Sequence, residues 1–384
     1  MPIIPFYRHQ LGENEQTAIS DSLNREILTS GQIGEYVETL LNDYFGITNS
    51  CLVNSWTNGA LASLIALGVG PGDEVIIPAM TFVACANVVE ILGATPIFCD
   101  VDPSTLLIDL TLLPKKLTQK TKVVMPVHLY GQMVDVKGIR ETIGSDVSII
   151  EDCAHSFEST YDSARPGKFS DAAIFSFYAT KNITCGEGGA IISKDPELMY
   201  KIRQIILHGM SVHAKDRFKS GHFQHWDVEH VGIKANLPDV LASLIPSQLK
   251  EVNIKLDKRE KVASVYRSYL TKYPEYFHLP GEHKRGTHAR HLFPIRVAQS
   301  DRDRVISILS RNGIGSTVNF RSINELSFYA KKYPNSKEST PVSYRWGSGV
   351  LSLPIYPGLK ESDVLYVMEI IENVVLQQIQ KLEE

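Results

Sequence analysis

The 384-residue sequence holds only five cysteines, and none stands in a CxxC pair. Structural zinc sites draw ligands from closely spaced pairs, so the pattern argues against one. Cys51, Cys85, Cys99, Cys153 and Cys185 read instead as small buried hydrophobes within apolar stretches. A basic excess is missing as well. The formal net charge of -4 argues against a nucleic-acid partner held by phosphate neutralisation, and any bound anion must be met by local groups. No run reaches the ~18 apolar residues of a membrane span, and the opening MPIIPFYRHQ lacks the basic and apolar regions of a signal peptide. A cytoplasmic protein with no membrane partner is expected. Repeats and low-complexity segments are absent too. What remains is an ordinary globular composition, 43% hydrophobic and 21% charged. The chain is long enough for a large domain plus a smaller one.

From about residue 50 to 195, short β-rich apolar runs alternate with helical patterns, the signature of a largely parallel sheet covered by helices. DEVIIP (73–78), TPIFCD (95–100), TKVVMPV (121–127), VSIIED (147–152), DAAIFSF (171–177) and GGAIIS (188–193) are the expected strands. ALASLIALG (60–68) and TFVACANVVEILG (81–93) read as helices ending at glycine. Residues 237–273 form a long helical stretch interrupted only by Pro246, expected to bridge two domains. Beyond it lie a basic loop, GEHKRGTHAR (281–290), then HLFPIRV and a DRDRVISILSRNG helix, a pattern that suits a small α+β domain.

Four stretches carry possible chemistry. In SFYATKNITCGEGG (176–189) a strand ends in serine, Lys181 follows in a loop, and a glycine-rich turn comes next. A loop lysine is most often a solvated amine. The apolar FSFY before it and the glycines after it suggest a confined backbone, and desolvation lowers an amine's pKa toward nucleophilic competence. SIIEDCAH (148–155) delivers Glu151, Asp152 and His155 at the end of a strand, the edge where open α/β sheets bind ligands. An aspartate there can simply cap the next helix. Taken alone, that is the commoner role; in a pyridoxal enzyme a carboxylate beside the ring nitrogen keeps it protonated. NSWTNGALASL (54–64) leads small polar residues into a helix, whose free N–H groups make either an ordinary cap or a phosphate site. PAMTFVA (78–84) sets Phe82 after a strand, as core or as a stacking face.

In this order, the four stretches resemble the DegT family of nucleotide-sugar aminotransferases, of fold type I. The resemblance runs over nearly the whole chain, through GPGDEVIIPAMTFVA (70–84), PVHLYGQ (126–132), EDCAH (151–155), SFYATKNITCGEGGA (176–190) and LSLPIYPGL (351–359). It implies an α/β fold: a large domain (1–250) with a mostly parallel seven-stranded sheet sandwiched by helices, plus a small α+β C-terminal domain (251–384). It implies pyridoxal 5'-phosphate as cofactor, Lys181 as the Schiff-base lysine and Asp152 as partner of the ring nitrogen. Phe82 would stack on the ring, Trp56, Thr57 and Ser176 would meet the phosphate, and His155 would stand near the ring hydroxyl.

GIKANLPD (232–239) resembles the family segment that crosses a homodimer interface to the partner's cofactor phosphate, with Asn236 as the contacting residue. The spelling of this segment and of SWTNG (55–59) is closer to the branch that aminates a UDP-linked 4-keto-pentose than to the more common asparagine-tyrosine-arginine form. The implied substrates are glutamate and a nucleotide-linked 4-keto-6-deoxy sugar, for cell-surface polysaccharide (lipopolysaccharide, O-antigen) or antibiotic sugars. Amination of a 3-keto sugar, or a sugar dehydratase, is the alternative. The dehydratase branch replaces the lysine with histidine, and Lys181 argues against it. The sequence departs from the family at Trp56, where many members have glycine, and in NFRSIN (319–324), where Asn319 and Asn324 stand for histidines of a substrate-facing loop. Asn319 and Arg321 are the expected substrate contacts. Lys284, Arg285 and Arg290 of the basic loop would either join them or form a solvated surface.

Overall fold

The computed structural model describes residues 2–211 and 225–383. Helices α1 (Glu13–Leu23) and α2 (Gln32–Phe45) precede a seven-stranded sheet made of β1 (Asn49–Val53), β2 (Glu74–Pro78), β3 (Thr95–Cys99), β4 (Thr121–Val124), β5 (Ser148–Asp152), β6 (Ala172–Ser176) and β7 (Gly189–Ser193). The strand order is β1-β7-β6-β5-β4-β2-β3. Strand β7 runs antiparallel to both neighbours, and every other pairing is parallel. All six expected strands lie in this sheet. The edge strand β1, which opens with Asn-Ser, is the addition.

The pleat explains the layers. Successive side chains leave opposite faces. Ala172, Ile174 and Ile191 therefore enter one core, where helices α3 (Trp56–Ala66), α4 (Ala84–Ile91), α5 (Leu113–Lys116), α6 (Val136–Ile143) and α7 (Pro196–Ile205) pack. Ala173, Phe175, Ala190 and Ile192 enter a second core with Val37, Leu41 and Phe45 of α2. Runs that are apolar at every position thus fit a sheet covered on both faces.

The expected long helix is divided into α8 (Asp239–Ala242), α9 (Ile245–Lys250) and α10 (Val252–Leu270). Pro246, in the first turn of α9, has no N–H to continue a preceding helix. Asp239 reaches back to α2, where its carboxylate accepts the N–H groups of Gly31 (2.9 Å), Ile33 (3.1 Å) and Gly34 (3.1 Å). It thereby caps α2, whose own N-cap residue is a glycine without a side chain.

The C-terminal part is a two-stranded antiparallel sheet, β8 (Phe293–Arg296) and β9 (Val350–Leu353). Helices α11 (Arg302–Arg311), α12 (Ser327–Lys332), α13 (Pro341–Gly349) and α14 (Glu361–Ile370) follow or flank it. Tyr266 of α10 packs with Phe293, Ile295, Leu351 and Val367 in a separate core that also takes Ile4 from the N-terminal segment. The architecture is the expected one, a layered α/β unit with a smaller α+β unit. No helix among the described residues is long and apolar enough to cross a membrane.

Candidate active site

The parallel strands end at a cavity of about 440 Å³. Strand β5 shows how neighbouring residues acquire different fates. Glu151 points away from the cavity, 2.7 Å from His128 Nε2, and also takes the Gly167 N–H at 2.7 Å and the Ser170 hydroxyl. His128 Nδ1 accepts the Val134 N–H at 3.0 Å, so its Nε2 carries the proton and donates. Asp152 points the other way, onto the cavity wall. Its Oδ1 accepts the Ala154 N–H at 2.9 Å, and Cys85 Sγ lies 3.3 Å from Oδ2. Burial raises its pKa, while its hydrogen bonds and the Lys181 charge pull it down.

Lys181 faces the same cavity. The side chain is half-buried, and desolvation lowers the amine's pKa to about 8 against the opposing pull of Asp152. Its loop is held from several directions. Gln248 of α9 donates to Thr184 O at 2.7 Å and accepts Thr184 N–H at 3.0 Å. Asn182 Nδ2 donates to Glu158 (2.8 Å) and to Ala289 O (2.9 Å). The Tyr7 hydroxyl donates to Lys181 O at 3.2 Å. The turn after the lysine needs its glycine, because a Cβ on Gly189 would stand 2.5 Å from Phe175 O and 3.2 Å from Trp56 N. That close approach brings the start of α3 against the end of β6.

Helix α3 is capped by Ser55, whose hydroxyl accepts Asn58 N–H at 3.1 Å. Trp56 and Thr57 occupy its first turn on the cavity wall, where unbonded N–H groups and the helix dipole favour an anion. Ser176, at the end of β6, lines the same corner. Phe82 is 55% exposed, too open for a core residue, and its ring lies 5.7 Å from Phe320. His155 Nδ1 accepts Tyr130 N–H at 3.2 Å, so in the neutral ring Nε2 carries the proton. Burial, reinforced by the Lys181 charge, holds this imidazole well below its usual pKa and therefore neutral.

Eight of the residues singled out in the sequence thus share one cavity: Trp56, Thr57, Phe82, Asp152, His155, Ser176, Lys181 and Asn319. Asn236 does not line it. It borders β1 through an isolated bridge to Val53 and donates to Ser30 Oγ at 2.8 Å. Arg321 is exposed, two residues beyond Asn319, and its charge partly opposes the burial that raises the pKa of Glu325. Asn324 differs from expectation. It is 1% exposed, accepting from Ser322 and donating to Thr340, each at 2.6 Å, so it braces the loop and faces no ligand. The basic loop is also committed elsewhere: Arg285 pairs with Asp162, and Arg290 with Glu260 and Glu282.

Sequence reasoning missed His291, whose ring lies 4.4 Å from His155 on the cavity wall. His291 Nδ1 is 3.1 Å from Asn182 Oδ1, and Asn182 is tied through Glu158 to Arg259 of α10. HLFPIRV read only as a strand, and its leading histidine was the available signal. Phe6 also lines the cavity, brought there by the N-terminal segment.

The residues present fit pyridoxal phosphate. A desolvated amine faces a buried carboxylate, a helix start offers N–H groups to a phosphate, and an open aromatic face borders them. Trp56 Nε1 and Asn319 Oδ1, on two cavity-lining residues, are buried with no partner among the described residues. Comparison with known proteins agrees. Residues 9–372 match the DegT/DnrJ/EryC1/StrS aminotransferase family. The chain is 34% identical over 378 residues to the spore coat polysaccharide biosynthesis protein SpsC of Bacillus subtilis (strain 168), covering 97% of each. It resembles the PMP form of Spr1654 from Streptococcus pneumoniae with a TM-score of 0.91, 28% identity and 100% of each chain covered. For DesV of S. venezuelae the TM-score is 0.87 at 28% identity, covering 97% of this chain and 98% of that one. A lysine desolvated beside a buried carboxylate, in a chain matching this family almost end to end, makes the protein a pyridoxal-phosphate-dependent aminotransferase of the DegT/DnrJ/EryC1/StrS family.

Proposed function

We propose that the enzyme transfers an amino group from L-glutamate to the 4-position of a nucleotide-linked 4-keto-6-deoxy sugar. The observation that carries the reading is Lys181 facing Asp152 across a cavity whose outer wall is the Asn319 loop. SpsC, a polysaccharide biosynthesis protein, and PseC of Helicobacter pylori, an aminotransferase involved in pseudoaminic acid biosynthesis, support a sugar acceptor. The spelling of GIKANLPD and SWTNG supports the 4-position.

Bound pyridoxal phosphate would supply an electron-withdrawing ring that draws charge away from the carbon losing or gaining a proton. Lys181 Nζ, neutral above pH about 8, is the group that takes this proton and returns it. Asp152, ionised, keeps the ring nitrogen protonated. His155 donates its Nε2 proton toward the ring hydroxyl. Thr57, Ser176 and the first N–H groups of α3 hold the phosphate, with Trp56 beside them. Phe82 and Phe320 cover the ring and exclude water. Asn236 completes the phosphate site of the partner subunit in a homodimer, and Asn319 and Arg321 meet the sugar nucleotide.

Purified enzyme assayed with glutamate against dTDP-, UDP- and GDP-linked 3-keto and 4-keto sugars should turn over a 4-keto sugar. Turnover confined to 3-keto sugars would transfer the assignment to that branch. Mixing inactive Lys181→Ala and Asn236→Ala proteins should restore part of the activity through hybrid sites. Exchanged subunits that stay inactive would remove Asn236 from the partner's site.

A further inference from the structure

The two oxygens of Asp152 are engaged differently. Oδ1 takes the Ala154 N–H, a local turn bond, whereas Oδ2 lies 3.3 Å from Cys85 Sγ. An ionised carboxylate only accepts, so the thiol is the donor. Cys85 Sγ is in turn 3.5 Å from the Thr81 hydroxyl. With the thiol hydrogen committed to Asp152, the hydroxyl is left to donate to sulfur. The result is a directed relay, Thr81 O–H to Cys85 Sγ and Cys85 S–H to Asp152 Oδ2, and all three residues line the cavity. The neighbouring Cys153 does not share this arrangement, because its sulfur turns to the Glu151 carbonyl at 3.7 Å. Cys85 is 1% exposed, and burial followed by the Asp152 charge raises its thiol well above the usual pKa. It therefore keeps its proton, serving as a hydrogen-bond donor and not as a nucleophile.

Burial alone would drive Asp152 toward its protonated form, which could no longer hold a ring N–H. Donors aimed at the anion oppose that. We infer that Cys85 is a positioning residue of the transamination, its thiol proton fixing Asp152 as the ionised, cavity-facing partner of the cofactor's ring nitrogen. This rests on the reading of Asp152 given above.

Two measurements test it, with Cys85→Ser, Cys85→Val and Asp152→Asn. In cofactor-free protein, an infrared difference spectrum of wild type minus Cys85→Ser isolates the Cys85 S–H stretch. The band should lie at the low frequency of a hydrogen-bonded thiol and move upward in Asp152→Asn. A band indifferent to Asp152→Asn overturns the inference. With pyridoxal phosphate labelled with ¹⁵N in the ring, NMR should report a protonated ring nitrogen in wild type and Cys85→Ser, and a reduced protonated fraction in Cys85→Val. Turnover should fall about tenfold in Cys85→Val and stay within about threefold in Cys85→Ser, as one hydrogen bond to a charged group implies. Wild-type signal and turnover in Cys85→Val overturn the thiol's role. The control separates the two readings. If Asp152→Asn abolishes the ring signal while Cys85→Val leaves it at wild-type strength, only the thiol inference fails, whereas an unchanged Asp152→Asn fails the carboxylate reading itself. Should Cys85→Val not fold, the infrared comparison still decides.

Discussion

Glu151 and Asp152 are consecutive residues of one strand, both carboxylates and both buried, yet the chain uses them in opposite ways. On the Glu151 side, His128, Gly167 and Ser170 each donate to the carboxylate, and His128 spends its second nitrogen on Val134. Every strong bond is made within the chain. On the Asp152 side the donors are one backbone N–H and a weakly donating thiol, and the carboxylate looks into a cavity. A buried acid is therefore not read as functional from burial alone. What distinguishes the two is the hydrogen-bonding capacity still open toward the ligand.

The comparison breaks if replacing either acid has the same effect. Asp152→Asn should lower turnover by about three orders of magnitude or more with the melting temperature nearly unchanged, because electrostatic stabilisation is lost only when the cofactor is at work. Steady-state kinetics beside calorimetry check this, and near-normal turnover would reduce Asp152 to a cap. Glu151→Ala should do the reverse. It strands several buried donors and should cost about 3 kcal/mol or more of stability in chemical denaturation. A variant as stable as wild type would show that Glu151 is dispensable as a latch.

A smaller effect contrasts the two arginine regions. Arg321→Ala should raise the Michaelis constant for the sugar nucleotide about tenfold and leave the glutamate half-reaction unaltered, since glutamate has no pyrophosphate. Arg285→Ala, which removes an exposed pair, should change neither. Equal damage from both would show that the loop shares in binding. A last contrast is a pH dependence, read on stability alone. Lys181 has a folded-state pKa lowered from 10.5 to about 8. Between those values the unfolded chain binds more protons, so the stability of cofactor-free protein should rise with pH across that window. The rise should vanish in Lys181→Met, and a rise that survives would belong to another group.

Much of the sheet and of the lysine side of the cavity was legible in the sequence, because each part lies within one short segment: strand end, loop and glycine turn around Lys181, strand end around Asp152, helix start at Thr57. The residues that escaped arrive from far along the chain. Phe6 and His291 have nothing local to mark them, and they reach the cavity because the N-terminal segment and the residues just before β8 pack there, while Tyr7 meets the backbone of the lysine loop. Asn324 misled for the converse reason. A polar residue in a substrate-like loop reads the same whether its amide faces a ligand or, as here, Ser322 and Thr340. The long stretch 237–273 followed helical periodicity correctly within its pieces. Its division depended on Pro246 and on the reach of Asp239 to α2, a contact 208 residues away.

The tethering of the lysine loop has a consequence in time. Tyr7 and Lys181 are 174 residues apart, and Asn182 waits for Ala289, 107 residues downstream. Such distant closures come late in folding, since the entropy of long loops must be overcome before their contacts can stabilise anything. On the ribosome, the loop that holds Lys181 stays incompletely tied until more than a hundred further residues have emerged. Acquisition of the cofactor by a nascent chain should thus lag behind formation of the sheet. Failure to capture pyridoxal phosphate would then mark a chain in which Asn182 and Ala289 have not yet met.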